Sequence, residues 1–205
     1  VAPGFVDINN ASDRYWTLFS HPNLESHLYQ GVTTIIGGNC GSSLAPLLYG
    51  SLESIRKWAR EDSVNVGWRT VREFLDVLTS QGIGVNFGTL VGHSTIRRAI
   101  VGEISRDLTV NELAVFRRIL SEALTEGAFG LSTGLGYVHA HGTPYHELKS
   151  LALIVVNEGG VYATHLRDER EGLLASIRET IALAKETKAK TIIPMATCLN
   201  QRPLI

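Results

Sequence analysis

Two residues with the chemistry of metal ligands stand at the ends of short apolar runs in this sequence. Cys40 lies in Asn39-Cys40-Gly41, and His165 ends the run Val161–His165. A thiolate and a neutral imidazole together suit Zn²⁺, so the pair predicts a metal site if the fold brings both residues to one place. The alternatives stay open: a small buried cysteine beside a glycine turn, and a histidine whose hydrogen bonds are satisfied locally.

Three further residues are candidates for contact with a substrate. Arg167 opens a predicted helix, where a cation opposes the helix dipole, so we expect it to pair with a neighbouring carboxylate or with a substrate carboxylate. Tyr137 follows Ser132-Thr133-Gly134, and either reaches the same place or packs within its loop. His93 is predicted either to contact the substrate or to form a structural hydrogen bond at a strand–helix junction.

The elements that must position these residues are short apolar strands separated by longer helical patterns. The runs are nearly continuous in apolarity, which is typical of parallel strands buried on both faces. The clearest helix has Thr109 and Glu112 as a capping box before it and Gly127 after it. The predicted strands are Ala2–Ile8, Val32–Gly37, Val85–Val91, Phe129–Thr133, Val161–His165 and Thr191–Met195. The predicted helices are Pro22–Tyr29, Leu52–Arg60, Thr70–Ser80, Leu108–Glu126, Pro144–Asn157 and Gly172–Lys188.

This alternation predicts an α/β fold, either a (β/α) barrel or a doubly wound sheet. Residues 4–13 contain no G-x-G-x-x-G, which favours the barrel, where reactive side chains gather at the C-terminal ends of the strands. We therefore predict a single, incomplete TIM-barrel domain over residues 1–205, with about six of the eight β/α units. Its two open sheet edges require further strands or another chain, such as a second copy in a homo-oligomer.

Composition excludes several classes of protein. The chain of 205 residues has 19 Lys+Arg against 20 Asp+Glu, so it lacks the basic surface of a nucleic-acid-binding or anionic-membrane-binding protein. No apolar run approaches the length of a membrane span, and two cysteines, Cys40 and Cys198, fit a reducing cytoplasm better than a disulfide scaffold. The chain begins at Val1 and stops at Ile205 after a strand-like run, so we expect its length to be that of a fragment.

Several motifs together resemble the N-acyl-D-amino-acid deacylase (D-aminoacylase) family of the amidohydrolase superfamily. They occur in the family's order along nearly the whole chain, and each alone would be weak. The matching segments are Val1-Ala2-Pro3-Gly4-Phe5-Val6-Asp7, Gly31-Val32-Thr33-Thr34, Gly38-Asn39-Cys40-Gly41, Val91-Gly92-His93-Ser94-Thr95, Gly130-Leu131-Ser132-Thr133-Gly134-Leu135 and the run from Gly160 to Glu169.

The resemblance implies a metal-dependent hydrolase of carbon–nitrogen bonds other than peptide bonds. Its substrate would be a small N-acyl-D-amino acid and its cofactor zinc, which activates water and polarises the acyl carbonyl while a late carboxylate moves the proton. By position, Cys40 and His165 match metal ligands of the family, and Arg167 and Tyr137 resemble residues that meet the substrate carboxylate.

The sequence also departs from the family at several ligand positions. Asn9-Asn10-Ala11 stands where the family's first strand commonly ends in His-x-His, and Met195-Ala196-Thr197 stands where a Ser-His pair is normal. The catalytic aspartate of the family lies outside this chain. His139-Ala140-His141 looks like a His-x-His pair but falls in a loop, and Cys198 could add a third thiolate only if the last strand ran differently.

These departures leave two hypotheses for function. In the first, the chain is an N-acyl-D-amino-acid deacylase that is weak or inactive in isolation, because catalytic zinc ordinarily has three protein ligands and only Cys40 and His165 remain. In the alternative, the chain is a non-catalytic remnant that binds a ligand or a partner chain through its open barrel edges.

Overall fold

The computed structural model describes residues 1–48 and 65–194, in which parallel strands alternate with helices along the chain. The strands are β1 Phe5–Asp7, β2 Val32–Gly37, β3 Asn86–Thr89, β4 Val91–Gly92, β5 Gly130–Gly134, β6 Val161–His165 and β7 Lys190–Ile192. The helices are α1 Thr17–Ser20, α2 Glu25–Leu28, α3 Val71–Gln81, α4 His93–Val101, α5 Val110–Thr125, α6 Val138–His141, α7 Tyr145–Asn157 and α8 Leu173–Thr187.

The strands form two parallel sheets, with the orders β1-β2-β3 and β4-β5-β6-β7. Within each sheet, every strand therefore lies beside the next one in the sequence, which is not the reversing order of a doubly wound sheet. The two sheets are joined at Leu90, whose amide donates to the Gly37 carbonyl over 3.0 Å, while Phe129 donates to the Thr89 carbonyl over 2.9 Å. The α/β class and the parallel pairing predicted from the sequence are confirmed.

The predicted third strand was wrong as a single element. Its residues divide into β3, which pairs with β2, and β4, which pairs with β5, because the chain changes partners at Leu90. The first strand is shorter than the predicted Ala2–Ile8: it lies at a sheet edge, and its register shifts between Phe5 and Val6. The second and fifth predicted strands have the expected bounds, and Met195, at the end of the sixth, lies outside the described residues.

Helix starts with a capping signal were predicted well. Thr109 and Glu112 form both hydrogen bonds of a capping box before α5, and Thr70 and Glu73 do the same before α3. No such signal precedes α4, which begins directly after β4 with Gly92 as its N-cap and no side-chain cap. The first predicted helix shortens to Glu25–Leu28, and the one at 52–60 lies outside the described residues.

The core lies between the sheets and the apolar faces of the long helices. Helices α3, α5 and α7 contribute residues at spacings of three or four, as an amphipathic helix against a sheet requires. These are Val71, Phe74 and Leu78 of α3, Phe116, Leu120 and Leu124 of α5, and Leu148, Leu151 and Val155 of α7. Within the described ranges, none of the helices combines the length and the apolarity needed to span a bilayer.

A buried charge network ties α4 to α7. Glu147 of α7 is 1% exposed, and its Oε1 lies 2.8 Å from His93 Nε2 and 3.1 Å from Arg97 Nε. Burial alone would raise the pKa of Glu147, but the hydrogen bonds and positive charges of His93 and Arg97 outweigh it and leave this pKa lowered. The ring of His93 also packs on Phe116, with centroids 5.4 Å apart. The network therefore fixes the start of α4 against two other helices.

We expect Glu147→Gln to destabilise the protein by about 3 kcal/mol, because it removes the anion that compensates a buried arginine. Urea unfolding at pH 7 measures the loss. The matched control is Glu186→Gln, which breaks the half-exposed pair with Lys149 on the neighbouring helix and should change the unfolding free energy far less, because solvent screens this pair. Equal losses in the two variants would contradict this account of the network.

The capping box of α5 predicts a pH dependence. Hydrogen bonds from Arg106 and from the Thr109 amide lower the pKa of Glu112 from 4.5 to about 2. A lowered folded-state pKa stabilises the fold above the unfolded value of 4.5, and that contribution is lost as the pH falls towards about 2. Glu112→Gln should therefore destabilise the protein at pH 7 and much less at pH 3, measured by urea unfolding. Glu122→Gln, in an exposed pair on the same helix, is the control and should show no such trend.

Candidate active site

The candidate site is built around a tight turn that follows β2. Gly38, Cys40 and Gly41 have positive φ values of 73°, 54° and 78°. A side chain in this left-handed region is strained unless its surroundings hold it there. Gly38 must be glycine, because a Cβ would overlap the Leu90 carbonyl at the junction of the two sheets. The turn thus packs against Leu90, where the chain passes from one sheet to the other.

Neighbouring units hold both ends of this turn. The Asp13 carboxylate, from the segment after β1, accepts a hydrogen bond of 2.6 Å from the Gly38 amide. The carbonyl of Gly41 accepts from the first amides of α4, Ser94 at 2.9 Å and Thr95 at 3.2 Å. Burial raises the pKa of Asp13, against the lowering effect of its bond to Gly38. The Cys40 backbone is therefore held from the β1 side and from the α4 side.

The thiol of Cys40 lies against a cation and a phenol. Only 7% of the residue is exposed, and its burial raises the pKa of the thiol. The positive charge of Arg14 and hydrogen bonds from Tyr137 and Arg14 act in the opposite direction. The pKa of Tyr137 is itself raised, chiefly by burial and then by the charge of Cys40. Cys40, Arg14 and Tyr137 therefore form one mutually contacting group.

His165, at the end of β6, borders the same group. Its ring centroid is 5.2 Å from that of Tyr137, and its Nε2 lies 3.7 Å from Oε2 of Glu169. The side chain is 13% exposed, and the buried Nδ1 has no hydrogen-bond partner within the protein. Tyr137 thus contacts both the thiol of Cys40 and the imidazole of His165. The structure brings these three sequence-predicted residues together.

The donors present are too few for a complete zinc site. Cys40 and His165 have suitable chemistry, but catalytic zinc ordinarily has three protein ligands. Across residues 1–48 and 65–194, no group of three His, Cys, Asp or Glu side chains is placed to hold a metal ion. In the segment that resembles the family's His-x-His, Asn9 and Ala11 stand at the two histidine positions, and neither can supply an imidazole. The middle residue, Asn10, donates its side-chain amide to Asp7 over 2.8 Å and lies 2.9 Å from His27 Nε2.

Unlike Tyr137, the residues Arg167 and His93 have their hydrogen-bond partners outside the group around Cys40. Arg167 makes two hydrogen bonds to Glu179, of 3.0 and 2.8 Å, and also donates to the carbonyls of His141 and Thr143. Of the two anions predicted from the sequence, the neighbouring carboxylate is the one present. His93 is fully buried in the Glu147 network, which matches the structural hydrogen bond offered as its alternative.

The loop histidines do not join the candidate metal ligands. His139 and His141 belong to the short helix α6 rather than to an irregular loop. The ring of His139 stacks on Tyr137 with centroids 5.9 Å apart and an interplanar angle of 3°. His141 contributes its backbone carbonyl to Arg167. His139 and His141 therefore line one side of the site.

Sequence reasoning missed Arg14, the cation whose charge and hydrogen bond act on the thiol of Cys40. Arg14 follows the buried Asp13 in the segment between β1 and α1, where Trp16 has a positive φ of 59°. This irregular segment has no periodic pattern, and only the adjacent charges of Asp13 and Arg14 marked it. Glu169, which sequence reasoning also did not assign to the site, is buried beside His165.

Comparison with known proteins agrees with the motifs. No protein-family model matches the sequence. The chain is 35% identical over 201 residues to a D-aminoacylase of Alcaligenes xylosoxydans xylosoxydans, which covers 98% of this chain and 41% of the relative. It is 35% identical over 203 residues to an N-acyl-D-aspartate deacylase of the same organism, covering 94% of this chain and 38% of the relative. The chain thus spans about 40% of the length of these relatives.

Solved structures show the same relationship. A crystal structure of D-aminoacylase, described as defining a novel subset of amidohydrolases, has a TM-score of 0.82 and 32% identity, covering 92% of this chain and 39% of that one. The N-acyl-D-glutamate deacylase of Bordetella bronchiseptica, solved with zinc and a phosphonate mimic of the tetrahedral intermediate, has a TM-score of 0.82 and 28% identity. It covers 94% of this chain and 40% of that one. Over nearly all of its length, this chain belongs to the D-aminoacylase family of amidohydrolases.

Proposed function

We propose that this chain is part of a zinc-dependent amidohydrolase that hydrolyses the amide bond of N-acyl-D-amino acids. The observation that carries the proposal is the meeting of Cys40 and His165 around Tyr137. These residues follow or end three different strands, β2, β6 and β5, so their convergence depends on the fold rather than on local spacing. Relatives named for this activity align along almost the whole chain, and they offer no support for the non-catalytic alternative.

We propose that the two sheets are six units of a (β/α)₈ barrel. The supporting observation is the strand order, in which each parallel strand neighbours its successor and helices make the connections. In such barrels the reactive groups lie at the C-terminal ends of the strands, which is where Cys40, Tyr137 and His165 are found. Self-association through the edges of β1 and β7 stays a prediction from the sequence, as does a cytoplasmic location.

Cys40 and His165 are proposed as two of the metal ligands. The remaining ligands and the carboxylate that moves the proton would come from outside the described residues. Because two ligands rarely hold a catalytic zinc, the isolated chain should turn substrate over weakly or not at all. Tyr137, which already contacts Cys40, is proposed to meet the substrate beside the metal site.

Two arginines are candidates for binding the substrate carboxylate. Arg167, the sequence-based candidate, has its guanidinium paired with Glu179 and with two backbone carbonyls. Arg14 lies instead in the group formed by Cys40 and Tyr137. The geometry therefore favours Arg14, because its positive charge lies beside the thiol of Cys40, whereas that of Arg167 lies against the segment between α6 and α7.

The metal proposal is tested by equilibrium dialysis of the 205-residue chain against zinc. We expect weak binding that saturates at about one zinc per chain, because only two protein ligands are present, and we expect it to be lost in Cys40→Ala and in His165→Ala, each of which removes half of this donor set. His146→Ala is the matched control, since this exposed histidine of α7 should not matter. The same samples are assayed with N-acetyl-D- and N-acetyl-L-amino acids, and any weak turnover should be confined to the D form. Zinc binding that survives both site substitutions, or turnover of the L form alone, would refute the proposal.

The role of Arg14 is tested by calorimetric titration with an N-acetyl-D-amino acid and with its neutral carboxamide. The parent chain should prefer the carboxylate by about tenfold, the worth of one charge-assisted hydrogen bond. Arg14→Gln should abolish the preference, whereas Arg167→Gln should keep it because Arg167 already has a protein carboxylate as partner. Loss of the preference in Arg167→Gln and its survival in Arg14→Gln would instead assign the role to Arg167.

A further inference from the structure

The hydroxyl of Ser132 makes two hydrogen bonds to the turn that carries Cys40. Ser132 belongs to β5 and is fully buried. Its Oγ accepts a hydrogen bond of 3.0 Å from the Gly41 amide and donates a second, short hydrogen bond to the Gly38 carbonyl. Gly38 precedes Cys40 by two residues and Gly41 follows it directly, so these two backbone groups flank Cys40. One side chain from a distant strand thus joins the backbone on both sides of Cys40.

This bridge adds to the hydrogen bond that closes the turn directly. In a β-turn, the carbonyl of the first residue commonly accepts from the amide of the fourth, and here the Asn39 carbonyl accepts from the Ser42 amide over 3.2 Å. The Ser132 hydroxyl instead joins the residue before that turn, Gly38, to its third residue, Gly41. Cys40 occupies the second position with φ at 54°, where a positive φ normally selects glycine, asparagine or aspartate. Cys40 therefore occupies a strained position that needs support from outside the turn.

The end of β5 also fixes the Cys40 carbonyl. A Cβ on Gly134 would overlap the Cys40 carbonyl oxygen and press on the ring of Tyr137. Strand β5 therefore determines where the Cys40 backbone lies. It also determines the position of Tyr137, which follows the strand and is the hydrogen-bond partner of the thiol. A shift of the turn away from β5 would move the thiol relative to Tyr137.

We propose that Ser132 is a positioning residue, whose hydroxyl bridges Gly38 and Gly41 and so holds the Cys40 thiol in the candidate site. The proposal deepens the proposed function, on which the importance of Cys40 rests. Its test, however, reads the thiol directly and needs neither zinc nor substrate turnover. A failure of this inference can therefore be told apart from a failure of the function, which the zinc titration decides.

Thr133 provides a matched control in the next position of the same strand. It is also fully buried, and its hydroxyl makes hydrogen bonds of 2.9 Å to Tyr162 and to Thr164 of the neighbouring strand. Neither partner belongs to the Cys40 turn. Thr133→Val should therefore remove a comparable buried hydroxyl from β5 without opening the turn.

The experiment measures the rate of alkylation of Cys40 by iodoacetamide under native conditions. Cys198→Ala provides the background, because the chain has two cysteines and this change leaves Cys40 as the single thiol. Ser132→Ala should accelerate alkylation at least about fivefold, since two buried backbone groups lose their partner and the strained turn relaxes. Thr133→Val should react at the background rate, and urea unfolding of both variants shows whether their stabilities are matched.

Two results would overturn the proposal. The first is an unchanged or slower alkylation rate in Ser132→Ala, which would mean that the turn holds the thiol without the bridge. The second is an equal acceleration in Ser132→Ala and Thr133→Val at similar stability, which would show that the effect comes from general loosening of β5. If Ser132→Ala does not fold, Ser132→Gly is measured in its place, since it removes the same hydroxyl.

Discussion

The Gly38–Gly41 turn is the constraint on which the candidate site depends. The Gly38 amide donates to Asp13 after β1, and the Gly38 Cα packs on the Leu90 carbonyl. The Gly41 carbonyl accepts from the first amides of α4. Parts of three successive β/α units therefore determine the position of a single thiol. The strain of a left-handed cysteine persists because this many contacts over-determine its backbone.

The charges of the site divide into two groups with different tasks. Arg14 lies with the thiol of Cys40, in a place where burial disfavours any ionised group that lacks a counter-charge. Arg167 instead pairs with Glu179 and binds the carbonyls of His141 and Thr143 at the end of α6, so it holds the segment whose His139 ring stacks on Tyr137. Arg14 thus lies in the group around the thiol, and Arg167 holds a segment that borders this group.

The sequence predicted the parts of the fold whose signals are local. A capping box predicted the start of α5, and nearly continuous apolar runs predicted β2 and β6. The break at Leu90 could not be predicted, because it arises where one strand exchanges its partner from β2 to β5. Helix α4 was missed for a related reason: it begins directly after a strand and has no side-chain cap.

The residues of the candidate site also divide into those that the sequence could predict and those that it could not. Cys40, Tyr137 and His165 could be predicted because parallel strands bring their C-terminal ends to one side, so residues that follow different strands meet. Arg14 could not, since it lies in an irregular segment whose path depends on the burial of Asp13. The role of Ser132 was hidden as well, because a serine in an apolar strand has no pattern that identifies the distant backbone groups it will bind.

The central claim is that Cys40 and His165 bind one metal ion together. Substitution with Co²⁺ tests it most directly, because a cysteine thiolate bound to cobalt gives a charge-transfer absorption band that other protein ligands do not produce. The account predicts that this band appears on titration of the chain, is absent in Cys40→Ala and is strongly reduced in His165→Ala. No band in the parent chain, or a band that persists in Cys40→Ala, would contradict it.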